Sequence, residues 1–255
     1  MGSSTISLGL GLGGGKSATS SGSPGGGGAF PNEFSLSFDG SDDYASVTQA
    51  SAINISGDIT LSAWVNRTKT SSFNSIYAKR QVGGAMNYQF TINNSNGQIG
   101  LGHSGRSYVY NTTTTLSTST WYHVAVTVSS GTAQFYVNGV AEDSFTGITI
   151  TGTTHDLIIG ATVPYNYFGG NIDEASIFNS ALSAANISTL RGGASAGTLG
   201  LPADISSLDP VGWWRMGDGG TWDGTNWTIP DASTNSNTGT TENMAEASRV
   251  TTVPE

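Results

Sequence analysis

The sequence predicts an all-β fold, two antiparallel sheets packed face to face as a sandwich or jelly roll, and three observations carry this. In Trp121–Gly139, Tyr122, Val124, Val126 and Val128 fall on one face, and Trp121, His123, Ala125 and Thr127 on the other. That period of two marks a half-buried strand. Charged residues make up 11% of the chain and glycines number 36, against about 25% charged in an average domain, which disfavours long salt-bridged helices. Apolar alternations recur about every eight to twelve residues with turn residues between them, the spacing of a sandwich.

Taken in order, residues 1–33 form a Gly/Ser-rich arm, with Gly25 to Gly28 in one run, the composition of a flexible linker. Within it, Gly13-Gly14-Gly15-Lys16-Ser17 imitates a phosphate loop, but the required glycine five before Gly15 is Leu10. Phe34, Leu36 and Phe38 alternate with serines as the first strand, and Asp39–Asp43 is an oxygen-rich turn before a second strand at Tyr44–Thr48. Ile59–Asn66 alternates again, and further strands are expected at 75–79, 88–92, 98–102 and 107–110. After Trp121–Val128, a second strand carries Phe135 and Val137, and Asn138-Gly139 suits a tight hairpin turn into Val140. Strands are expected at 147–150, at Leu157–Gly160 and at Asn171–Phe178. One short helix fits Ala184–Arg191, capped by Ser183 and stopped by Gly192-Gly193. Residues 34–191 thus form the sandwich. Residues 192–255 read as a linker and a C-terminal strand and loop segment packing on the sandwich or on a neighbouring subunit. Val211–Met216 is its strand, and Asp231–Thr241 is expected to be loop-like.

The 9 Lys and Arg against 18 Asp and Glu leave a net charge of −9. A phosphate backbone or an anionic lipid surface would be repelled, so neither nucleic acid nor membrane is an expected partner. The absence of cysteine excludes disulfides and thiolate metal sites. No apolar run reaches the ~20 residues of a membrane span. The N-terminus lacks the basic and apolar regions of a signal peptide, so a soluble protein assembled inside a cell is expected.

Phe38–Tyr44, Ile59–Val65, Trp121–Val128, Phe135–Gly139 and Phe168–Glu174, followed by Ala181-Leu182-Ser183, occur in one order. In that order they resemble the laminin-G-like, concanavalin A-like lectin/glucanase superfamily, over roughly residues 34–190. The resemblance implies a jelly-roll sandwich. Val211–Asp218 with Asp231–Thr240 also resembles this family, where it usually precedes the Phe-Asp-Gly strand, so the order here looks rearranged. A Gly-rich arm without a signal is in turn similar to virion structural proteins of tailed phages.

The resemblance also suggests sites. Family members hold a structural Ca²⁺ near the Asp39–Asp43 turn and the Asp173-Glu174 pair, which makes Asp39, Asp43 and Asp173 candidate ligands; clustered carboxylates and turn carbonyls supply the six to eight oxygens that Ca²⁺ takes. Lectin sites use loop and edge aromatics, which makes Tyr108, Tyr110, Tyr165, Tyr167 and Trp222 candidate glycan contacts, since a flat ring stacks on a sugar face. Trp64, Trp121, Trp213 and Trp214 are expected in the core. Catalysis is not expected. Retaining glucanases present Glu-x-Asp-x-x-Glu on one strand, and Asn171–Ser176 lacks both glutamates. His103, His123 and His155 are scattered, and His123 is expected to pack.

The sequence therefore reads as a non-enzymatic structural, decoration or fibre component of a phage particle, located on the virion and assembling as a homo-oligomer with other virion proteins through its arm. The alternative is a glycan-binding adhesin on a phage fibre or cell surface.

Overall fold

The computed structural model describes residues 30–80, 84, 86–105, 107–111 and 113–255. Residues 1–29 of the arm lie outside them. The strands are β1 (Ser35–Asp39), β2 (Tyr44–Val47), β3 (Ile59–Arg67), β4 (Asn74–Arg80), β5 (Met86–Ile92) and β6 (Ile99–His103). There follow β7 (Ser107–Tyr110), β8 (Trp121–Ser129), β9 (Thr132–Val137), β10 (Val140–Thr146), β11 (Leu157–Ile159) and β12 (Gly169–Phe178). After the helix α1 (Ala184–Leu190) come β13 (Gly212–Trp214), β14 (Thr221–Trp222), β15 (Trp227–Ile229), β16 (Gly239–Glu242) and β17 (Arg249–Val250).

Among the described residues these form two antiparallel sheets. One has eight strands, in the order β10-β9-β8-β3-β12-β1-β17, with β13 also on β12. The other has nine, in the order β14-β15-β16-β2-β11-β4-β5-β6-β7. Between the sheets lies the main core, where Leu36, Leu61, Val124, Val126 and Phe135 of the first meet Tyr77, Phe90, Leu101 and Ile159 of the second, all at 1% exposure or less. The alternation that predicts β8 is thus the alternation that fills the core. Asn138 and Gly139 both adopt positive φ (47° and 71°), as the hairpin between β9 and β10 requires.

The other face of the eight-stranded sheet carries a second, smaller core. Tyr136, Phe178, Leu182, Ile187, Leu190, Ile205 and Trp213 pack α1 and the segment after it onto the sheet. Ser183 caps α1 by accepting the Asn186 N–H, and the Gly192 and Gly193 N–H groups close its C-terminus on Thr189 and Ser188. His123 packs here as expected: it is fully buried, with Nε2 2.9 Å from Ser62 Oγ.

Two expectations fail. Residues 147–150 are not a strand. Ile148 and Ile150 are buried, but their backbone crosses the end of the sandwich, bonding Gly131 and Gly57 instead of a strand ladder. Asp231–Thr241 is not all loop either, because β16 is inserted between β15 and β2. Residues 192–255 complete both sheets of this same chain: β13 pairs with β12, β17 with β1, and β14–β16 extend the nine-stranded sheet.

Candidate functional site

The outward face of the nine-stranded sheet gathers the polar and aromatic groups that leave the core. Strand partners in register share a face. Ile158, Ala78, Gln89, Gly102 and Tyr108 lie in register across β11, β4, β5, β6 and β7. Beside that row, Ser75, Thr91, Gly100 and Tyr110 form a second. Because Tyr88 and Phe90 point into the core, Gln89 and Thr91 point out.

The two glycines of Gly100-Leu101-Gly102 stand opposite the two tyrosines of Tyr108-Val109-Tyr110. Without side chains there, the tyrosine rings lie against β6, parallel to within 10° and 6.2 Å apart. Tyr108 Oη donates to Gln89 Oε1 (2.7 Å), and Arg80 Nη1 donates to both Tyr108 Oη (2.8 Å) and Gln89 Oε1 (3.0 Å). Burial pushes the Tyr108 hydroxyl above its ordinary pKa, against the Arg80 charge, so it stays a donor at neutral pH. Phe73 and Asn166 join Gln89, Thr91, Tyr108 and Tyr110 around a cavity of about 280 Å³. Beyond the Ser75 Oγ···Thr162 Oγ1 contact (2.9 Å) lies a second cavity of about 250 Å³, lined in part by Ala78, Arg80, His155, Asp156, Ile158 and Thr162.

Of the expected glycan contacts, Tyr108 and Tyr110 are thus together in one site. Tyr165 is 59% exposed on the loop that supplies Thr162 and Asn166. Tyr167 lies further along, its carbonyl accepting from Lys69 Nζ at 3.3 Å beside the Asp39 turn. Trp222 is on the opposite side of the sheet, packed on the core 5.6 Å from Trp227. Period-two reading separates faces but cannot say which face of a late two-residue strand is inward. Gln89, Arg80, Phe73 and Asn166 were missed. The Gly-x-Gly run facing Tyr-x-Tyr was the available signal.

The acidic turn converges: carboxylate oxygens of Asp39, Asp42 and Asp43 lie within 4.8 Å of one another. Asp39 Oδ1 accepts the Ser41 and Asp42 N–H groups (2.7 and 3.3 Å), and Asp43 Oδ2 accepts the Asp39 N–H (2.9 Å). Burial, opposed by that N–H and reinforced by the Asp39 and Asp42 charges, pushes Asp43 up to about 6. Three carboxylates suit a hard divalent cation in donor chemistry, although Lys69 already brings an ammonium to the Gly40 carbonyl. Asp173 is not among these ligands. It is buried on β12, accepting from Asn32 Nδ2 (2.9 Å) and the Glu174 N–H (2.8 Å). Its neighbour Glu174 is held by Arg215 Nε (3.0 Å) and Trp213 Nε1 (2.5 Å). No helix among the described residues is long and apolar enough to cross a membrane.

Comparison with known proteins bears on this architecture. Residues 39–188 match a family described as "Concanavalin A-like lectin/glucanases superfamily". A candidate carbohydrate binding protein from Bacteroides ovatus ATCC 8483 is similar in structure, with a TM-score of 0.62 at 20% identity. The match covers 84% of this chain, which spans only 60% of that protein. The heptameric SAP-like pentraxin of Limulus polyphemus is similar at a TM-score of 0.56 and 15% identity, over 80% of this chain and 97% of that one. Among curated proteins none matches. With the family match covering more than half of its length, the chain belongs to the laminin-G-like family of the concanavalin A-like lectin/glucanase superfamily.

Proposed function

We propose that the chain is a non-enzymatic glycan-binding module whose ligand lies on the outer face of the nine-stranded sheet, over Tyr108 and Tyr110. The carrying observation is the pair of parallel rings beside a cavity edged by Gln89, Thr91 and Asn166. A sugar ring offers an apolar C–H face to an aromatic and a rim of hydroxyls to amides and hydroxyl groups, and this site supplies both. The carbohydrate-binding description of the Bacteroides ovatus protein, which shares the fold, supports this reading over a virion component. The virion reading leans on the arm at 1–29, outside the described residues.

The buried acidic pair Asp173 and Glu174 is tied to Asn32, Trp213 and Arg215 on the other sheet. On the proposed face, Asp156 is the one carboxylate among the described residues that line the two cavities. Glycoside hydrolysis needs two facing carboxylates, about 5–5.5 Å apart in retaining enzymes and about 6.5–9.5 Å in inverting ones. A glycan array should show saturable binding that Tyr110→Ala removes at unchanged melting temperature. An array without binding, or binding indifferent to Tyr110, overturns the proposal.

The proposal includes a structural Ca²⁺ on Asp39, Asp42 and Asp43, supported by their convergence. Adding Ca²⁺ to chelator-treated protein should raise the melting temperature, and Asp43→Asn should abolish the rise. No rise in the wild type rejects the ion.

A further inference from the structure

Building on the glycan-binding reading, we infer that the Arg80 cavity is a second subsite of the same groove and that Arg80 there takes a carboxylate carried by one of the sugars. The register places the two cavities on one face: Ile158 and Ala78 of one are in line with Gln89 and Tyr108 of the other. From β11 to β7 is four strand spacings, about 19 Å, longer than a single sugar ring. The occupant is therefore a chain of several sugars lying across the strands.

Arg80 joins the two halves. It lines one cavity while its Nη1 is committed to Tyr108 and Gln89 of the other. Its Nε is enclosed without a hydrogen-bond partner. With Nη1 engaged and Nε out of reach, Nη2 is the N–H group left for a ligand, and a guanidinium N–H makes a strong, charge-assisted hydrogen bond to a carboxylate.

The chain carries −9 overall, but the carboxylate of this cavity is already engaged: Asp156 Oδ1 caps the Gln49 N–H at 2.8 Å. Arg80 is the cation among the described lining residues. Ile158 and Val163 give the cavity an apolar wall for the sugar ring.

The test uses hexasaccharides containing uronic acids, each paired with its carboxyl-reduced form, in which –COO⁻ has become –CH₂OH. Binding to each is measured by calorimetry. Reduction is expected to weaken binding to the wild type about tenfold, the range of a charge-assisted hydrogen bond. Arg80→Gln should bind the acid and reduced forms alike, whatever its overall affinity. Tyr108→Phe, which removes the hydroxyl but leaves Arg80, should keep the preference. Equal binding of acid and reduced forms by the wild type, with Tyr110→Ala abolishing both, overturns the role of Arg80 and leaves the glycan site standing. No binding to any member of the panel or of a broad array overturns both.

Discussion

Tyr108 fills the space in which Gly102 would carry a side chain: a Cβ on Gly102 would stand 2.6 Å from Tyr108 Cε1. The ring can swing away, so Gly102→Ala should cost little stability, shifting the melting temperature by a few degrees. Because the swing breaks the ring's alignment with Tyr110 and its bond to Gln89, glycan affinity should fall as far as in Tyr108→Ala. Thermal melts and array binding on the same preparation check the two halves.

Tyr110 and Trp222 should separate binding from stability. Tyr110→Ala is expected to remove glycan binding with little change in unfolding free energy. Trp222 leans on Trp227 and the core, so Trp222→Ala should leave affinity intact and cost about 2 kcal/mol, less than a fully buried Trp would. Urea midpoints beside binding isotherms give both readings.

The contrast between these two residues marks how far the sequence could be read. Periodicity resolved the long strands, because a nine-residue strand such as Trp121–Ser129 repeats its pattern enough times to show which face is apolar. Thr221–Trp222 is two residues long, so its inward side depends on a partner, Trp227, that only the fold brings beside it. The Tyr108–Tyr110 pair was legible as aromatics on an edge. The groups that make it a site, Arg80, Gln89 and Asn166, come from three separate segments whose meeting is set by sheet order. The same holds for the acidic residues: Asp39 and Asp43 meet within one turn, whereas the resemblance that added Asp173 could not show that its strand carries it into a different cluster.

Asp173 should make the protein less stable as pH rises. Burial first, and the neighbouring Glu174 charge second, push its carboxyl well above the usual range, and Glu174 is itself raised to about 7. A folded pKa above the unfolded one means that the native state binds the extra proton, so stability falls as pH climbs from about 4 through 7. A protonated Asp173 could donate to Asn32 Oδ1, which is buried without a partner. Asp173→Asn should therefore match the wild type near pH 4 and exceed it by roughly 1–2 kcal/mol at pH 8. Urea unfolding across that range checks the crossover.

His123 works in the opposite direction. Burial, with the Arg191 charge adding to it, pushes its pKa down to about 3. The unfolded chain takes up a proton near pH 6.5 that the native state refuses, so this contribution is full above about 6.5 and is lost as pH falls toward 3. His123→Gln keeps a partner for Ser62 Oγ and should lose less stability than the wild type between pH 6.5 and 4. An unchanged acid limb in the variant would show that His123 is not the group responsible.

The insertion of β16 beside β2 has a consequence for how the protein is made. Ser46 pairs with Thr240, partners 194 positions apart (240 − 46). Such distant pairing is slow to form, since a very large loop must close before any contact rewards it. A nascent chain therefore carries β2 with one bare edge until β16, nearly two hundred residues later, has been made and can shield it. During that interval an unsatisfied ladder can recruit another molecule, so chaperone demand should depend on residues 192–255 more than on the strands that precede them.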